Sequence, residues 1–158
     1  MNESRNAAAT IRPFRPADTE AVVRLWRDCR LTRPWNDPYK DIERKLAVQP
    51  ELFLVAVRGA RVVGTVMGGY DGHRGWINYL AVSPSARRRG EAGRLVDTLE
   101  RALHDMGCPK VNLQIRRSNR AVIEFYESIG YREDDVLSMG KRLIPDAPPQ
   151  AGPKDASG

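Results

Sequence analysis

The sequence predicts a mixed α/β domain: a mostly antiparallel sheet of six to seven strands with helices on both faces. Three observations lead there. Residues 52 to 82 hold three strand-like runs broken only by glycine turns, and such turns join antiparallel neighbours. Two amphipathic stripes follow, at 90 to 106 and 119 to 129. Between them lies the short apolar run KVNLQI, so strand, helix and strand alternate, and the crossover leaves two strands parallel.

Taken in order, ATIRPF at 9 to 14 reads as the first strand, and RPAD opens a helix carrying Val22, Leu25, Trp26 and Cys29 on one face. RPWNDP, Arg33 to Pro38, breaks that helix with two prolines, and DIERKLA, Asp41 to Ala47, forms a short second one. Strands are expected at Leu52 to Val57, Val62 to Tyr70 and Trp76 to Val82. Ala92, Leu95, Val96, Leu99, Leu103 and Met106 then recur at three or four, and Gly107 ends the helix. Lys110 to Ile115 is a strand, Asn119 to Ile129 a helix closed by Gly130, and Tyr131 to Arg142 one or two final strands.

The 158 residues suit one domain, expected over 9–144. The ends, 1–8 and 145–158, are rich in Pro, Ala, Gly and polar residues and are expected to be disordered. With 41% hydrophobic and 29% charged residues, no run of about 20 apolar residues and no apolar leader, the chain reads as cytoplasmic. Cys29 and Cys108 have no second ligand at metal spacing, so reduced thiols and no metal are expected.

Net charge is +6, with arginines clustered at 87 to 89 and at 116, 117 and 120, each group following a strand. That placement suits a phosphate-bearing small molecule. Nucleic acid is a poor partner, because basic residues are not interleaved with aromatics on one strand face, and nothing marks a membrane surface. In LAVSPSARRRGEAG, Leu80 to Gly93, a strand, a loop rich in Arg and Gly, and a helix start follow one another. Such a junction aims backbone N–H groups and the positive helix end at an anion. No GK[ST] follows the glycines, which excludes a Walker-type nucleotide site.

This stretch resembles the acetyl-CoA signature of the GCN5-related N-acetyltransferase (GNAT) superfamily, in which V-x-P leads into [QR]-x-x-G-x-[GA]; Arg87-Arg88-Arg89-Gly90-Glu91-Ala92 carries the match. Asn119, Tyr126 and Gly130-Tyr131 match a second family pattern, and the element order agrees over roughly 10 to 143. The resemblance implies a splayed pair of parallel central strands, with Leu80, Ala81 and Val82 offering backbone groups to the pantetheine arm of acetyl-CoA. It implies Arg87, Arg88, Arg89, Gly90, Ala92 and Gly93 around the pyrophosphate, Asn119 near the pantetheine, and Tyr126 near the sulfur as general acid. Glu91 stands where the family has an aliphatic residue. A carboxylate turned inward would repel a pyrophosphate, so it is expected to face solvent.

Removal of the amine proton has several candidates: Asp71 and His73 on the hairpin loop, Glu43 on the second helix, or water. Asp71 before Gly72 is equally what a tight turn requires. Trp35, Asn36, Asp37 and Tyr39 in RPWNDPYKDIERK are the expected acceptor contacts. Together with GGYDGHRG they resemble a YpeA-like subgroup of small bacterial GNAT proteins. Asp37, Asp41, Glu43 and Asp71 would make that side acidic and suited to a cationic amine, or DPYKDIER is simply a capped helix start. The expected activity is direct transfer of acetyl to a small-molecule or peptide amine. A ribosomal-protein-type N-terminal acetyltransferase and a noncatalytic acyl-CoA-binding module are the alternatives. The protein is expected as monomer or homodimer, an exposed C-terminal edge strand favouring the dimer.

Overall fold

The computed structural model describes residues 7–146; most of both expected tails lies outside the described residues. Strand β1 (Thr10–Pro13) leads through a 3₁₀ turn at Pro16–Asp18 into α1 (Thr19–Asp28). Helix α2 (Pro38–Leu46) begins three residues earlier than the sequence predicts. Pro38 occupies its first turn, where a missing N–H costs nothing, and Asp37 caps it by accepting the Tyr39 N–H at 2.9 Å. The second proline of RPWNDP is therefore a helix start.

Strands β2 (Phe53–Arg58), β3 (Arg61–Tyr70) and β4 (Gly75–Val82) form the predicted meander, followed by α3 (Glu91–Asp105), β5 (Val111–Leu113) and α4 (Arg120–Ser128). The sheet order is β1-β2-β3-β4-β5, antiparallel throughout except for the parallel β4–β5 pair. β2 shows why helices lie on both faces. Its residues are apolar without alternation, as a strand covered on both sides requires. Leu54 and Ala56 enter one core with Leu95, Val96, Leu99 and Tyr126. Phe53 and Val55 enter the other with Val22, Trp26 and Ile42.

The sheet has five strands, not six to seven. The final strands expected between Tyr131 and Arg142 are absent: residues 137 to 146 make no backbone–backbone hydrogen bond among the described residues. Alternation of apolar residues there is not backed by a paired neighbour.

Helix α3 crosses β3 closely. A Cβ added at Gly68 would lie 2.3 Å from Leu99 Cδ1, and Leu99 is itself fully buried. Gly68→Ala should therefore overpack the core and destabilise the fold by about 1–3 kcal/mol, read as a lower urea midpoint at unchanged slope. An unshifted midpoint would mean that α3 can lift off β3.

Candidate active site

β4 and the helix that follows it frame the site. The parallel ladder to β5 ends at Ile77–Leu113, while β4 continues to Val82 paired only with β3. The strands thus part just where Leu80, Ala81 and Val82 lie. A register shift between Thr65 and Met67 marks a bulge, and at it Tyr79 takes φ 52°. A left-handed tyrosine costs about 1–2 kcal/mol and persists only where its surroundings enforce it. Here Tyr79 stacks on Trp26 with ring centroids 3.8 Å apart. Thr65 Oγ1 accepts from Trp26 Nε1 at 2.9 Å and donates to the Tyr79 carbonyl at 2.8 Å.

Beyond β4 the chain makes a 3₁₀ turn at Pro84–Ala86, then passes through left-handed Arg88 (φ 68°) and Gly90 (φ 77°), the N-cap of α3. Arg87 folds back, its Nε donating to the Val82 carbonyl at 3.2 Å. Arg88 and Arg89 are exposed at the mouth of the loop. A Cβ built at Gly90 or Gly93 meets nothing within 4 Å, so open space lies against the first turn of α3. Left-handed backbone, unobstructed glycines and arginines at a helix N-terminus fit a pyrophosphate.

Glu91 does not face solvent. It is 2% exposed, its Oε1 accepting from Arg58 at 2.6 Å and its Oε2 from Arg94 at 2.9 Å. Two guanidiniums neutralise the carboxylate, so it carries no uncompensated negative charge beside the loop. A groove of about 400 Å³ lined by Arg58, Arg89, Glu91 and Arg94 runs beside it.

Asn119 caps α4, its Oδ1 accepting the Val122 N–H at 3.4 Å. Tyr126 is buried edge-on against Phe125 and Tyr131, with ring centroids 5.1 and 5.2 Å away. It belongs to the core cluster that also takes in Leu80 and Val82 of β4 and Leu113 of β5. Burial, then the charge of Glu100, push its phenol above the ordinary value.

The proposed acceptor residues form a network with Tyr79, Asp41, Arg142 and Asp146. Tyr79 OH donates to Asp41 Oδ2 at 2.6 Å and accepts from Asn36 Nδ2 at 3.1 Å; Asn36 also bonds Asp41. Arg142 donates to Asn36 Oδ1 at 3.0 Å. Buried Asp146 accepts the Asp37 N–H at 2.7 Å and pairs with Arg44. Trp35, 55% exposed, lines a groove of about 550 Å³ with Arg44, Gly140 and residues 141–144, while Tyr39 OH reaches outward to Glu20. The expected acidic acceptor side is not found. Asp37 is a helix cap, Asp41 is paired with Arg44 at 3.2 Å, and the groove walls carry Arg44, Lys141 and Arg142.

Nor does the structure gather the candidate bases. Asp71 Oδ1 accepts the N–H groups of His73 and Arg74 at 2.8 and 2.7 Å, which hold its carboxyl below the usual range. It sits beside Gly75, at the opposite end of β4 from the loop. Glu43 is exposed on α2.

The model of the acetyltransferase (GNAT) family matches residues 19–131. The chain belongs to this family. An acetyltransferase of Sodalis glossinidius is 56% identical to this GNAT chain over 137 residues, covering 86% of it and 96% of the relative. Ard1 from Thermoplasma volcanium superimposes with TM-score 0.69 at 31% identity, covering 78% of this chain and 82% of Ard1. AAC(6')-Iy, solved with a bisubstrate analogue joining CoA to an acetylneamine, shares the fold with TM-score 0.71 at 19% identity, covering 86% of this chain and 99% of that one. The protein is accordingly a GNAT acetyltransferase of the small bacterial kind.

Tyr79, Arg142, Asp146 and Arg58 take part in these networks and were not picked out from the sequence; apart from Tyr79 on the expected cofactor strand, no local pattern marks them. Asp146 makes a testable case. The Arg44 hydrogen bond, then the Asp37 N–H, hold its carboxyl at about 2. A depressed carboxylate contributes stability above its unfolded value, and that contribution is lost as pH falls from about 4 to about 2. Asp146→Asn should lower stability at neutral pH and flatten the acid limb of a pH–Tm curve. An acid limb identical to wild type would show the pair to be thermodynamically silent.

Proposed function

We propose that residues 9–144 form an acetyl-CoA-dependent N-acetyltransferase domain moving acetyl directly to a primary amine in a ternary complex. One observation carries the reading: β4 runs on past its ladder with β5 and leads directly into the left-handed Arg88–Gly90 loop at the start of α3. Acetyl-CoA supplies a thioester activated toward amines. In this reading Arg88, Arg89 and the α3 amides hold the pyrophosphate, and Gly90, Ala92 and Gly93 let it approach. Backbone groups of Leu80 to Val82, with Asn119 nearby, align the pantetheine arm, and a strand N–H polarises the carbonyl. Tyr126 returns a proton to the departing thiolate. Asp71 is stabilised in its charged form at the wrong end of β4, and Glu43 has no contact aiming it at the strand. Proton removal from the amine therefore falls to water in the groove beside Trp35 and Asn36.

The test follows thiol release from acetyl-CoA with polyamines, amino acids, aminoglycosides and peptides bearing free N-termini, alongside thermal stabilisation by acetyl-CoA. Stabilisation with turnover of at least one amine class is expected. Stabilisation without turnover across the panel would favour a noncatalytic acyl-CoA-binding module.

A further inference from the structure

The groove beside Trp35 and Asn36 carries positive charge. Arg44 of α2 lines it together with Lys141 and Arg142 of the segment after α4, and Trp35, Leu143 and Ile144 add apolar surface. Polar contacts hold the two sides together. Arg142 donates to Asn36 Oδ1 at 3.0 Å, Asp146 accepts the Asp37 N–H at 2.7 Å, and Lys40 Nζ donates to the Asp146 carbonyl at 2.8 Å. Residues 142–146 are thereby docked against the start of α2.

The carboxylates here are withdrawn from solvent and the cations are not. The side chains of Asp146 and Asp41 are 1 and 21% exposed, those of Arg44 and Arg142 47 and 41%. Arg44 pairs with both carboxylates, and Asp146 also lies 3.8 Å from Arg142. Lys141 is exposed and has no partner among the described residues. Of the charged lining groups and their direct partners, three cations therefore face two carboxylates, and the excess positive charge lies on the exposed side.

Such a wall repels a polycationic amine and attracts an anion, for which lysine and arginine supply charge-assisted donors. It also suits the nucleophile, because nearby positive charge favours the neutral form of an amine. Asn36, on the groove, bonds the hydroxyl of Tyr79, the residue before Leu80, and so joins the groove to the parted end of β4. Given the acetyltransferase activity proposed above, we propose that the acceptor is an amine bearing an anionic group of its own, a carboxylate or phosphate, which Lys141 and Arg142 bind.

Matched amines test it and separate the sources of the anion: alanine against alaninamide, phosphoethanolamine against ethanolamine, and peptides with free N-termini and Asp against Asn at the second position. In at least one pair kcat/KM should be about tenfold higher for the anionic member, the worth of one charge-assisted hydrogen bond, and the gap should narrow with salt. Lys141→Glu should abolish that preference through a higher acceptor KM, while the rise in Tm caused by acetyl-CoA is unchanged. Calorimetric titration of the same pairs into protein loaded with CoA reads acceptor binding without chemistry. Anionic preference in binding with no turnover would overturn the acetyltransferase reading alone. Equal kcat/KM and equal binding within every pair, or a preference that survives Lys141→Glu, would overturn the anionic acceptor.

Discussion

Glu91→Ala is expected to destabilise the fold by about 3–5 kcal/mol, the cost of stranding a buried charge. The carboxylate is 2% exposed and its partner Arg58 12%, while Arg94, one turn along α3, is 44% exposed. Removing Glu91 leaves Arg94 free to turn to water. Arg58 is less able to follow, because its side chain is only 12% exposed and its Nε is already bonded to the Ala7 carbonyl at 3.0 Å. Glu91→Leu fares little better alone, since the guanidinium remains unpaired. Combined with Arg58→Met it should recover most of the loss, because exchanging a whole buried pair for apolar side chains of similar size is often neutral or stabilising. Urea unfolding of the two single variants and the double variant gives the coupling directly. A change within about 0.5 kcal/mol for Glu91→Ala, the range of surface substitutions, would mean that Arg58 finds other solvation.

Glu91 also marks the limit of what the sequence disclosed. Helix α3 was legible because Leu95, Val96, Leu99 and Leu103 repeat at helical spacing, and the loop before it because Arg and Gly stand where a strand becomes a helix. The charge partner of Glu91 lies 33 residues upstream on β2, beyond any local pattern. Asp41 and Tyr79 are 38 apart, and Asp37 and Asp146 109 apart. Of the acidic residues that looked like an electronegative acceptor side, Asp41 is offset by Arg44 one helical turn along and Asp37 is engaged as a helix cap. The missing final strands have another cause: Val136, Leu137 and Met139 have strand-like character, but strand formation needs a neighbour, and within one copy none pairs with them.

Strain and burial in the site divide along β4. On one side the left-handed Tyr79 is clamped by Trp26, Thr65, Asp41 and Asn36, which fixes the kink that carries Leu80 to Val82 away from β5. On the other side Tyr126 stands in the core shared by the two parting strands. A bulge held in this way leaves little freedom to the backbone of Leu80 to Val82, as a preorganised polar site requires.

Tyr126→Phe is therefore expected to lower kcat by about 10²–10⁴ while leaving acetyl-CoA stabilisation and Tm close to wild type. The ring stays, with its edge-on contacts to Phe125 and Tyr131, and only the hydroxyl is lost. Burial and the nearby Glu100 charge raise the phenol pKa, so Tyr126 keeps its proton through neutral pH and well into the alkaline range. The sign follows: in the wild type no loss of the acid occurs until pH passes a folded value above the ordinary one of about 10, and any rise of kcat on the way up reports the amine losing its proton. In the Phe variant the thiolate must leave unprotonated or take its proton from water. A more acidic thiol leaving group should then suffer less from the substitution than acetyl-CoA does. A merely structural Tyr126 would show the reverse, with Tm falling and kcat at saturating donor preserved, and that result would remove it from the chemistry.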